Sequence, residues 1–163
     1  LWSLDIEASW LLHEALSNWE TTRFFRSRAL VQKVAIAAED GLLANGSSFT
    51  SITRMRRKPT RTCIVGASRE CSGHFNLYQH FGDEPALGTA YTCWKFIQRY
   101  LIDKEQGEWH WSVSLDHEIN RKDDKAGFWK CPYHNGRMCI GDYRTTCRRI
   151  TVRQTACRLF LSD

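Results

Sequence analysis

The sequence predicts an α+β domain in which N-terminal helices pack on a mainly antiparallel sheet with one further helix, the whole stapled by disulfides. Three observations carry that expectation. The first 62 residues hold no cysteine and show helical periodicity, all seven cysteines follow, and several later segments alternate apolar and polar residues with a period of two. At 163 residues, 42% of them hydrophobic, the chain is long enough for one well-packed core. A single domain over 1–163 is expected, with a helical cysteine-free part (1–44), a basic exposed segment (45–62) and a cysteine-containing α+β part (63–163).

The segment LDIEASWLLHEALSNWE places Ile6, Trp10, Leu11, Leu12, Ala15, Leu16 and Trp19 at helical spacing, with Asp5 and Glu7 near the start, where the helix dipole favours anions. It reads as an amphipathic helix. A second helix is read with Thr21 or Thr22 as its cap, a stripe of Phe25, Leu30, Val34 and Ala38, and an end near Gly41, although ALVQKVAIA also suits a strand. His13-Glu14 lacks the second histidine one turn later that a metalloprotease helix needs, because position 17 is Ser.

The next stretch carries two features of the secretory route. Asn45-Gly46-Ser47 is a glycosylation acceptor in a turn-forming context, and Arg54, Arg56, Arg57 and Lys58 form a dense basic run that suits a processing protease or a polyanion. After it, RTCIVGAS reads as a short strand ended by Gly66. GTAYTCWKFIQRYLID reads as the further helix, with Ala90, Cys93, Trp94, Ile97 and Leu101 on one side and Thr89 as cap. EWHWSVSLD gives the clearest strand, Trp109, Trp111, Val113 and Leu115 alternating with polar residues. The tail RRITVRQTACRLFLSD also alternates, with a phase slip between Val152 and Cys157 that a bulge explains.

The residues 131–147, CPYHNGRMCIGDYRTTC, pose a choice between zinc and disulfides. Cys131 and His134 make one short chelating pair, but Cys139 and Cys147, with seven residues between them, make no compact second one. The wider distribution favours disulfides among Cys63, Cys71, Cys93, Cys131, Cys139, Cys147 and Cys157: three bridges and one odd thiol. With the sequon, the basic run and a first residue other than Met, this reads as a processed protein that is secreted and extracellular.

Charge is patterned. Nine basic and two acidic residues lie between 21 and 61, ten and three between 121 and 158, and the segment 83–118 is acidic. The basic segments suit a polyanion, and a protein partner is the expected target. No apolar run reaches the length of a membrane span, no metal or cofactor is expected, and no nucleophile elbow, phosphate loop or dinucleotide fingerprint occurs. The expected function is therefore a secreted, disulfide-stabilised binding protein without catalysis. Two alternatives stay open. One is a small basic nuclease that uses His74, His110, His117 and Glu118 as proton carriers with Arg121 or Lys122 behind them, and the other is an intracellular zinc-stabilised domain.

CWKFIQRY at 93–100, with its aromatic-basic core Trp94-Lys95-Phe96, resembles a motif in the secreted cysteine-rich avirulence effectors of plant-pathogenic fungi. That resemblance implies binding and masking of host components rather than chemistry, and it transfers no functional residue.

Overall fold

The computed structural model describes residues 2–17, 23–47, 61–114, 116–127 and 133–149. Within them the chain forms five helices and one short antiparallel strand pair, which replaces the expected α+β sheet domain. The helices are α1 (Trp2–Ser17), α2 (Arg23–Ala38), α3 (Ile64–Phe81), α4 (Glu84–Phe96) and α5 (Tyr133–Arg149). The strands are β1 (Arg61–Cys63) and β2 (Ser112–Ser114), paired with Thr62 opposite Val113. No described helix is long and apolar enough to cross a membrane.

The first helix buries Ile6 and Trp10 of its expected stripe but leaves Leu12 exposed, and the second buries Val31, Ala35 and Ala38 while Leu30 of its expected stripe is exposed, before a 3-10 turn at Glu39–Gly41. The larger corrections come after residue 63. Gly66 does not end a strand; it lies inside α3, the central helix, which packs against α1, α4 and α5. Its buried face combines Ala67, Cys71, Phe75 and Leu77 with Ser68, Glu70 and His74, so the apolar period that marks a helix is broken by polar residues. Gly73 lets the helices approach closely, because a Cβ there would lie 2.2 Å from Ile6 Cγ1 on α1. A residue disfavoured in isolated helices is thus fixed by packing.

The further helix begins earlier than Thr89. Asp83 is its cap, its side chain accepting from the Ala86 N–H at 3.1 Å, with Pro85 in the first turn. It continues into a wide π turn at Ile97–Leu101. The segment 108–116 contributes only the three residues of β2, because His110 and Ser112 are buried along with Trp109 and Val113. Leu115 and the tail 150–163, read as strand, lie outside the described residues.

Ala67, Cys71, Cys93, Phe96, Ile97, Leu101, Trp109, Val113 and Met138 form the main core, and Ile6, Ala35, Ala38, Leu77 and Ala86 a second one between the first three helices and α4. Disulfides do not staple it among the described residues. Cys71, Cys93 and Cys139 are thiols, the first two fully buried and the third exposed on α5. Cys63 lies on β1 and Cys147 on α5, while Cys131 and Cys157 fall outside the described residues. Burial, aided by the nearby Glu70 charge, pushes the Cys93 thiol far up, which leaves it unreactive. Site-resolved alkylation of the native protein should therefore label Cys139 and spare Cys71 and Cys93 until denaturant is added. A native disulfide at Cys71 or Cys93 would contradict this packing.

Candidate functional site

Three helices bring one cleft together. Glu7, Trp10 and Glu14 recur along one side of α1, Arg69, Ser72 and Asn76 along one side of α3, and His134, Arg137 and Gly141 along one side of α5. Two shallow adjoining hollows share Trp10, Ser72 and Arg137 as walls. The smaller holds Glu7, Arg69 and His134; the larger continues past Glu14, Asn76 and Gln79.

Glu7 and Arg69 form an ion pair with Arg69 Nε 2.6 Å from Glu7 Oε2, and each side chain is only 13% exposed. The half-buried His134 stands beside them. Burial disfavours its charged form most, the Arg69 cation adds to this, and Arg137 adds again, while Glu7 opposes them. The net result is an imidazole held below its ordinary pKa and neutral near pH 7. Tyr133 meets the His134 ring edge-on at 4.9 Å between centroids. The Arg137 guanidinium lies 4.7 Å from the Trp10 ring and 5.5 Å from that of Tyr133, and it donates to the Tyr133 hydroxyl. Aromatic faces thus hold a cation at the mouth of the cleft.

Such a site has a neutral imidazole able to take up a proton, two guanidinium groups able to stabilise a developing oxyanion, and aromatic surface beside them. It contains no obvious metal cage. Among the described residues no group of three or more histidine, cysteine or carboxylate side chains is placed to hold a metal, and Cys139 is exposed on α5.

The other sequence-selected residues lie elsewhere. His74 is fully buried on α3, its Nε2 3.5 Å from Glu70 Oε2 and its Nδ1 3.9 Å from Glu39 Oε1. His110 is buried 3.7 Å from Asp103 Oδ2. His117 stacks on Tyr100 at 4.5 Å, while Glu118, Arg121 and Lys122 are exposed on the segment that follows β2. The histidines proposed to share a nuclease site therefore sit in separate surroundings. Asn45 occupies an exposed turn, its Oδ1 accepting from the backbone N–H and the hydroxyl of Ser47 and its Nδ2 3.2 Å from His117 Nε2. Arg54, Arg56, Arg57 and Lys58 lie outside the described residues.

Sequence reasoning weighed His134 only as a zinc ligand, set aside in favour of disulfides, and it did not group His134 with Glu7, Trp10, Arg69 and Arg137. One signal was present. Glu7 adjoins the buried Ile6 on an amphipathic helix, and a carboxylate beside a core stripe needs a partner.

The arrangement of the helices is shared with solved sugar epimerases. The chain is similar to a sugar epimerase from a ruminal bacterium, with a TM-score of 0.73 and 30% identity over 88% of this chain and 37% of that one. It is likewise similar to the cellobiose 2-epimerase of Bacillus thermoamylovorans, with a TM-score of 0.75 and 30% identity over the same shares. A D-mannose isomerase, 16% identical at a TM-score of 0.74, shares the fold.

Among curated proteins, the chain is similar to the cellobiose 2-epimerases of Bacteroides fragilis, 44% identical over 143 residues, and of Ruminococcus albus, 39% identical over 145. Each comparison covers 83% of this chain, which spans 35% of the length of those relatives. No family model matches. These similarities overturn the resemblance to fungal avirulence effectors, which rested on Trp94-Lys95-Phe96; Phe96 is buried in the main core and Trp94 packs against it. They also overturn the effector-like, virulence-related, non-catalytic binding function and its nuclease and zinc alternatives, because the relatives are carbohydrate epimerases.

Proposed function

We propose that this chain carries the proton-abstracting part of a carbohydrate 2-epimerase site, acting at C2 of the reducing-end sugar of a β-linked disaccharide such as cellobiose. The observation that carries the proposal is a neutral His134 set beside the guanidinium groups of Arg69 and Arg137, in a chain 44% identical to a cellobiose 2-epimerase.

The chemistry follows from the substrate. In the open-chain aldehyde the C2–H bond is adjacent to the C1 carbonyl, so removal of the C2 proton by an imidazole leaves an enediolate with its charge on the C1 oxygen. Preorganised cations aimed at that oxygen lower the barrier more than they stabilise the neutral sugar. Return of a proton to the opposite face of C2 gives the epimer, and the glycosidic bond and the oxidation level are unchanged. The exposed Tyr133 offers apolar surface to the ring, and Glu7, tied to Arg69, fixes the guanidinium rather than serving as a mobile base. Incubation of cellobiose with the protein that carries this chain should yield its C2 epimer, glucosyl-mannose, resolved by anion-exchange chromatography. Hydrolysis to glucose, or no conversion, would count against the proposal.

The pH dependence has a definite sign. His134 acts as a base when neutral, and its pKa lies below the ordinary imidazole value of 6.5. The acidic limb of kcat/KM should therefore fall below pH 6.5. The same depression makes the unfolded chain bind more protons than the folded one just below pH 6.5, so this contribution to stability is present above 6.5 and is lost as the pH falls through the folded pKa. A limb above 6.5 would contradict the placement of His134 between two cations.

A further inference from the structure

The segment between the π turn and β2 reaches across to the start of α5, and its construction is specific. Asp103 Oδ1 accepts from the backbone N–H groups of Glu105 and Gln106, both at 3.0 Å, and the Asp103 N–H donates to the Glu108 carbonyl at 2.9 Å. Lys125 binds the Asp103 carboxylate and donates to the Gly107 carbonyl at 3.1 Å, tying this turn to the segment that leads toward α5. At the end of the turn Glu108 has φ = +62°, directly after Gly107 at +74°. A residue with a side chain is disfavoured in that left-handed region, where glycine is the ordinary solution. Position 108 carries a glutamate nonetheless, and the glutamate has a use.

Glu108 Oε1 accepts from Asn135 Nδ2 at 2.7 Å. Asn135 is buried, is the third residue of α5 and adjoins His134. The first turn of α5 has no acidic residue of its own. The anion that a helix N-terminus favours is therefore supplied from another segment, 27 residues earlier in the chain.

We infer that Glu108 is a positioning residue for the candidate proton carrier: through Asn135 it fixes the first turn of α5 and with it the reach of His134 into the cleft. This inference rests on the reading of His134 as the base. Because small displacements of a proton carrier cost rate rather than affinity, Glu108→Ala should lower kcat for epimerisation about 10- to 100-fold with little change in KM. Glu108→Gln keeps an oxygen that accepts from Asn135 and should stay within about 3-fold of the parent protein. The charge is separable from the position. Both variants remove the same negative charge, but only Glu108→Ala removes the acceptor for Asn135, so only Glu108→Ala should lose kcat.

The experiment measures kcat and KM on cellobiose for the parent and both variants, and records the His134 imidazole resonances by NMR. Loss of kcat confined to Glu108→Ala supports the inference; equal loss in both variants, or none in either, overturns it. If the parent protein shows no turnover, the catalytic reading fails while the positioning claim is still decided by NMR. A His134 signal that shifts and broadens in Glu108→Ala, but titrates as a single sharp resonance in Glu108→Gln, sustains it, and a signal equally sharp in both rejects it.

Discussion

Replacement of His134 with glutamine should lower the rate of C2 epimerisation about 10²- to 10⁴-fold, the range spanned by loss of one general acid or base. Glutamine retains a polar side chain of similar length but takes up no proton near neutral pH. The loss should appear in kcat and kcat/KM together, because the proton is transferred only on the way to the transition state. The fold should survive, since His134 is half-buried at the rim of the cleft and the α5 core contact is made by Met138. A His134→Gln protein with the parent rate would remove the base from the mechanism, and a second variant, His134→Ala, guards against rescue through the amide.

The second large effect concerns stability. Glu7→Ala should destabilise the protein by about 3–5 kcal/mol, the cost of breaking a buried pair from one side, because the Arg69 cation then remains in a setting where its side chain is only 13% exposed. Glu7→Gln with Arg69→Met should recover most of that loss, since the desolvation cost falls on whichever charge is left unpaired. Urea melts of the single and double variants measure the coupling directly. Additive losses would mean that the two side chains act independently, contrary to their 2.6 Å separation.

How much of this was legible depends on the element. In α1 the spacing of Ile6 and Trp10 announces a helix, and both are buried on one side of it. In α3 the same logic fails for a physical reason. Its buried face includes Glu70 and His74, 3.5 Å apart across one helical turn, and Gly73, whose missing side chain makes room for Ile6. A hydrophobic pattern cannot register a buried face that carries polar side chains and a close backbone approach. Over 131–147 the three evenly spaced cysteines suggest a disulfide framework, yet the stretch from 133 onward is helix α5, in which Asn135 and Met138 are buried and Cys139 is exposed among the described side chains.

Alternation at 108–116 misleads in another way. It identifies Trp109 and Val113 as core, but His110 and Ser112 are buried as well, so the strand shrinks to a three-residue pair within a helical fold. The site was less legible than the fold. Glu7 and His134 come from opposite ends of the chain, and nothing in the local sequence of either points to the other. His134 attracted notice as a ligand because a cysteine stands three positions before it. Its neutral state depends on burial and on Arg69 and Arg137, and Arg69 is supplied by another helix.

Proton abstraction at C2 is tested most directly by running the reaction in deuterium oxide and reading the product by proton NMR. An imidazole that exchanges with solvent between abstraction and return will place deuterium at C2 of the reducing-end sugar. The C2 proton signal of glucosyl-mannose should then disappear while its C1 and C3 signals remain. Epimerised product that keeps its original C2 hydrogen in full would point to a transfer that bypasses solvent-exchangeable groups, and an unconverted disaccharide with no deuterium at C2 would contradict the assignment of His134 as the base.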